Sequence, residues 1–247
     1  MIREQLRGIL ALIWFDGVLP IRRSPFNAIN FIVSPLTILF FIYLFAGPSQ
    51  ARFAVAGGLV AVIVGSCIIL ETEAAFIRLV VRLQDMFVSS PLSSVSYVLS
   101  LSVAQLFNGL AGIVLFSALL LFDGGITSFG GLEIAAAAVL TWASISSLGF
   151  LISTFARDMR DLWVYSPLLN VLLAFLPPVF YPISRIPESF RFIAYIAPTT
   201  YPAQVIQMAA GLIPGTGAEI ALDFAGGIAY TLILVALSAR YARWRQR

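Results

Sequence analysis

At 247 residues, 60% hydrophobic and only 11% charged, with a mean hydropathy of +0.97, the chain lies far from the roughly 25% charge of a soluble domain and reads as an integral membrane protein. Histidine is absent and all 15 basic residues are arginine, which excludes serine–histidine and cysteine–histidine catalysis, a histidine metal site and the lysine of a phosphate-binding P-loop. The single cysteine, Cys67, excludes an intrachain disulfide, and a net charge of +3 carries no expectation of a nucleic-acid partner.

The first 25 residues hold four arginines, two acids and no small-residue cleavage site, so no cleavable leader is expected. Leu6, Ile9, Leu10 and Ile13 recur at helical spacing, with Arg3, Glu4 and Arg7 elsewhere on the helix. This predicts an amphipathic interfacial helix within 1–25, either a plain anchor or a mechanical element, ended by Pro20 and by Ser24–Pro25. Apolar runs near the ~20 residues that a crossing helix needs follow at 28–46, 53–70, 95–122, 132–155, 162–181 and 218–239. The second is short, glycine-rich and joined to the first by GPSQAR; the third, at 28 residues, must tilt or extend past the bilayer.

Between the second and third runs lies 71–94, ETEAAFIRLVVRLQDMFVSSPLSS. Thr72 to Val88 can be helical, with Arg78, Arg82 and Asp85 at i, i+4 and i+7, and SSPLSS then breaks it. Such a helix suits the receipt of force from a soluble partner, or else it is a surface helix that touches nothing. The pairs Glu71 with Glu73 and Asp158 with Asp161 could hold a metal in principle; the simpler reading is solvated turn ends balanced by Arg157 and Arg160. Beyond the fifth run, LPPVFYPISRIPESFRFIAYIAPTTYPAQ at 176–204 packs six prolines beside a hydrophobic span. Backbone broken in this way must be buried in protein or face water.

Twelve arginines fall on one side of these runs, and only Arg52, Arg185 and Arg191 on the other. Both termini are therefore expected in the cytoplasm, in agreement with six crossings. No ionisable side chain occupies the middle of a run, which argues against a proton-driven carrier. Polar positions on the first run (Asn30, Ser34, Thr37) and the fifth (Tyr165, Ser166, Asn170) are candidates for lining a path, or for hydrogen bonds between helices. No acidic or basic cluster is expected along that path, which favours an amphiphile or a lipid-linked glycan over a free ion. Aromatic residues at 163, 165, 175, 180 and 181 could stack on sugars, pack on acyl chains or form the interfacial belt.

Three stretches carry a resemblance. MFVSSPLSSVSYVLS resembles the signature after the second span of ABC-2 type transporter permeases. VFYPISRIPESFRFIAYIAPTTYPAQVIQ resembles that family's outer proline motif, and IRRSPFNAINFIVSPLTILFFIYLFAG its opening. RLVVRLQDMFVSS departs from a glycine-containing stretch common in relatives, Ala197 precedes Pro198, and Gln207 stands where an arginine is often found. The resemblance implies one all-α transmembrane domain over 1–247 with no catalytic site: the permease subunit of an ATP-driven exporter in the cell (plasma or inner) membrane. A separate ABC ATPase subunit would bind ATP and Mg, so no cofactor is expected in this chain; a second permease copy and membrane lipid would be the other partners. A cytoplasmic coupling region would use Arg78, Arg82, Asp85, Ser89 and Pro91. Over 182–212, helices at Ser189–Ile196 and Thr200–Ala210 would dip back into the outer leaflet, with Pro177, Pro178, Tyr181, Pro182, Pro187, Pro198 and Tyr201 forming an outer gate. The competing readings are a secondary carrier or channel, and a membrane scaffold that transports nothing.

Overall fold

The computed structural model describes residues 2–24, 26–82, 93–122 and 126–241, with the side chains at 2, 27, 28 and 30 outside that set. Among these residues every regular element is helical. Helix α1 (Ile2–Ile13) passes through a π-helical turn, Trp14–Val18, into α2 (Leu19–Arg23). Helices α3 (Phe26–Ala46) and α4 (Pro48–Ile68) meet at Gly47, whose φ of 83° glycine adopts without strain. After Ile69 the chain continues as α5 (Leu70–Leu79). The remaining helices are α6 (Ser94–Phe122), α7 (Ser128–Phe155), α8 (Met159–Ala174), the short α9 (Arg191–Ala194), α10 (Thr200–Ala209) and α11 (Gly217–Tyr241).

Their ends follow local chemistry. The Thr127 hydroxyl accepts from the Gly130 N–H to start α7, and the Asp158 carboxylate accepts from the Arg160 N–H to start α8, both at 3.0 Å. Thr216 and Glu219 exchange side-chain to backbone bonds of 2.7 and 3.3 Å, a capping box at the start of α11. Helix α8 stops at Ala174, three residues ahead of Pro177–Pro178, which could not continue it.

Four helical stretches are long and apolar enough to cross a membrane: Pro48–Leu79, Ser94–Phe122, Ser128–Phe155 and Gly217–Tyr241. Helix α3 adds an apolar stretch at Phe31–Ala46, and α8 has 16 residues. The Pro48–Leu79 stretch is the axis of the molecule. Its most apolar window is 83% buried, against 11% for α11, which therefore lies at the periphery. Helices α3, α6, α7 and α8 pack around α4. A side chain at Gly57 would meet the Phe180 ring at 2.6 Å, so glycine is what lets the proline-rich segment close onto α4. A smaller core of Leu12, Leu70, Ala74, Ile77, Tyr97, Leu101 and Phe150 seats α1 against α5, α6 and α7.

Several elements differ from their sequence expectation: Pro20 stands inside α2 and does not end the N-terminal helix, α8 stops at Ala174 and not at 181, and a 3₁₀ turn and the four-residue α9 stand in place of one helix over Ser189–Ile196. The helix expected over 53–70 begins at Pro48 and runs almost unbroken to Leu79. The start of 71–94 is thus a prolongation of that helix, with Leu70, Glu71, Ala74, Ala75 and Ile77 buried, and not a surface helix reaching Val88. Arg82, at φ 56°, has already left helical conformation.

Candidate functional site

Two features follow from this frame: a set of broken backbone segments held by side chains, and a polar cavity beside the axis.

The proline-rich segment holds its carbonyls with neutral donors. The Gln207 amide on α10, itself fully buried, donates to the carbonyls of Pro178 (2.9 Å), Val179 (3.3 Å) and Tyr181 (3.3 Å). The Thr199 hydroxyl donates to Leu173 O (2.7 Å), near the end of α8, and the Tyr181 hydroxyl to Leu176 O (2.7 Å). Thr200 donates to Ala194 O and the Tyr230 hydroxyl to Ile196 O. Backbone that proline has cut out of a helix is in this way satisfied within the protein. Of the proposed gate residues, Pro177, Pro178 and Pro198 are buried, Tyr181, Pro182 and Tyr201 are half-buried, and Pro187 is exposed. Short 3₁₀ turns at Ile183–Arg185 and Glu188–Phe190 lie between them and α9.

The far end of α7 is held differently. The Arg78 guanidinium on α5 donates to the carbonyls of Ser153 (2.6 Å), Thr154 (3.1 Å) and Ala156 (2.8 Å). It thereby occupies the helix end where the macrodipole favours a cation. Arg78 is committed to the fold, while Arg82 is exposed beyond the end of α5. Asp85, Ser89 and Pro91 lie outside the described residues.

The cavity, about 810 Å³, lies among the N-terminal segment and helices α3, α4, α5, α6 and α8. Ser34, Ser166 and Asn170 line it. Thr37 does not, its hydroxyl donating to Val33 O at 2.7 Å, and Tyr165 is exposed and also absent from the lining; the Asn30 side chain lies outside the described residues. Three of the five aromatic positions singled out by the sequence lie elsewhere, and Trp163 and Phe175 are on the wall.

Two expectations are overturned: that no acids gather beside the path candidates, and that Glu71 is a solvated turn end. The cavity carries two acids, Asp16 from the π-helical turn and Glu73 from α5. Sequence separated them by 57 positions, and Asp16 was assigned to an interfacial helix. The turn docks on α6: a side chain at Gly17 would stand 3.0 Å from the Ala104 backbone, and the neighbouring Gln105 amide donates to Asp16 at 3.4 Å. Burial first, and then the facing Glu73 carboxyl, push the Asp16 carboxyl up to about 7. Glu71 is also not a solvated turn end. It is wholly buried, with neither carboxyl oxygen hydrogen-bonded. Among the described residues no group of three or more acids or cysteines is arranged to hold a metal.

No curated protein matches the chain. Residues 7–209, which contain the docked turn, the axis, the cavity and the proline-rich break, match the ABC-2 type transporter family. The chain is a multi-pass helical membrane protein and belongs to that family.

Proposed function

We propose that the chain is the permease subunit of an ATP-driven exporter, working as a pair of copies with a separate ABC ATPase that binds ATP and Mg. The observation that carries this reading is the family match over 7–209, which takes in nearly all the helical core. On this reading α3 and α8, the latter extended by the residues up to the break, complete six crossings. Both termini lie in the cytoplasm of a cell-membrane protein, and 182–212 closes the outer end of the path. Two copies facing each other with closed symmetry would enclose the space that one chain leaves open.

The coupling contact falls to the segment after α5. Arg78 is occupied at the end of α7, which leaves Arg82 as the arginine exposed next to 83–94. Arg82→Glu should leave the protein folded, because no core contact is touched. It should abolish substrate-stimulated ATP hydrolysis, a charged contact of this kind costing roughly 2–5 kcal/mol when one partner is lost. The test is co-purification of the chain with its ATPase, followed by ATPase and export assays in proteoliposomes. A chain that recruits no ATPase, or that stays monomeric in its complex by crosslinking, overturns the permease reading. Wild-type stimulation in Arg82→Glu removes the coupling assignment.

A further inference from the structure

We propose that the cavity binds a monovalent organic cation with an apolar body, its charge taken by the Asp16–Glu73 carboxyl pair and its body by Phe31, Trp163 and Phe175. This names a substrate class for the permease reading above and rests on it.

The sign of the charge comes from the wall. Two carboxyls line the cavity and its described lining includes no basic residue. The neutral groups beside them, Gln105, Asn108 and Thr72, carry acceptors as well as donors, and the Gln105 amide already donates to Asp16 while its oxygen accepts from Asn108. Two further acceptors come from the backbone. Pro35 in α3 and Pro167 in α8 each lack the N–H that would bond the carbonyl four residues earlier, on Phe31 and Trp163. All four of these residues line the cavity.

The number of charges comes from the pairing. Asp16 and Glu73 line the same cavity, where two like charges oppose each other, so the pair holds one negative charge more easily than two. One cationic centre matches that. A divalent metal is the poorer match, since among the described residues no group of three or more acids is arranged to hold one. The size of the ligand comes from the shape. At about 810 Å³ the cavity falls in the roughly 300–1,000 Å³ range of organic-ligand sites. It reaches from Glu73 to Ala61, twelve residues or about 18 Å along the helix axis. The acids stand at one end and Phe175 beyond the other. Trp163 offers the ring face that best attracts a cation.

The probes are tetraphenylphosphonium and tetraphenylborate, close in size and shape and opposite in charge. Binding to the full chain in lipid nanodiscs is measured by equilibrium dialysis without the ATPase, with protein-free nanodiscs subtracted. Saturable binding of the phosphonium is expected, at least 10-fold tighter than that of the borate. The double variant Asp16→Asn, Glu73→Gln should lose at least 10-fold in phosphonium affinity. Gly65→Leu keeps both carboxyls but sends a side chain between Asn170 and Phe31, which lie 3.6 and 3.9 Å from where its Cβ would stand, and should weaken binding as much. If the double variant fails to fold, as judged by its melting temperature, the phosphonium-to-borate ratio and Gly65→Leu decide alone. Equal binding of the two ions, or undiminished phosphonium binding in a folded double variant or in Gly65→Leu, overturns the proposal. A chain that recruits its ATPase yet binds both ions alike sinks only the cation site; one that binds the phosphonium but recruits no ATPase sinks only the permease reading.

Discussion

The proline-rich break and the far end of α7 pose the same problem, carbonyls with no helical donor, and meet it with opposite chemistry. At the break, donors are neutral: one buried glutamine amide and the hydroxyls of Thr199, Thr200, Tyr181 and Tyr230. At the end of α7 a single guanidinium serves three carbonyls. A cation held inside hydrocarbon is expensive, and less so at an interface where part of its side chain stays accessible. The choice of donor therefore reports how wet each site is. On the six-crossing reading it places the break deeper in its leaflet than Arg78 is in the opposite one.

Three substitutions would break or sharpen that contrast. The largest effect is expected at Gln207. Gln207→Leu takes the donor from three carbonyls at once in a fully buried place, at a cost of about 3–5 kcal/mol. Gln207→Glu replaces the donor with an acceptor and should yield no folded protein in a detergent melting assay. A Gln207→Leu variant that melts with the wild type would mean that water already reaches the break. Arg78→Met should cost about 2–4 kcal/mol by the same assay, less because carbonyls at an interface can be rehydrated. Arg78→Lys should recover only part of this, since one ammonium cannot copy a planar fork serving three oxygens. Equal stability in Arg78→Met would show the end of α7 to be fully solvated. The smallest effect, about 1–2 kcal/mol, is expected for Thr199→Val, which keeps the shape and removes one donor.

The sequence made some of this plain and hid the rest for physical reasons. A break around Pro177–Pro178 was readable, because proline acts on its own neighbourhood, although the fifth run was drawn to 181 and α8 ends at Ala174. The partner of the broken carbonyls was not. Gln207 lies 26–29 residues from them, and sequence marked it only as a neutral residue where relatives often have arginine. A neutral amide there is what a dry site needs. Arg78 showed the right spacing for a surface contact with Arg82 and Asp85. Its hydrogen bonds, however, go to residues 75–78 positions away, which no local pattern encodes. The acid pair was hidden for the same reason: each member sits in an ordinary local context, and only the seating of Gly17 on α6 brings them together.

The π-helical turn Trp14–Val18 holds one residue more than an α-helical turn would. Leu12 and Gly17, five positions apart, are both buried on account of it, where uninterrupted α-helix would place residues three or four apart on one face. Wound instead as uninterrupted α-helix, the same residues would carry everything after the turn round by about 100°. Asp16 would swing off the cavity while composition, charge and hydropathy stayed unchanged. For anyone aligning relatives of this chain, the informative feature of the first 25 residues is accordingly a gap: a relative shorter by one between Leu12 and Pro20 can keep the same faces buried on a regular α-helix, whereas one of equal length needs the π-helical turn to do so.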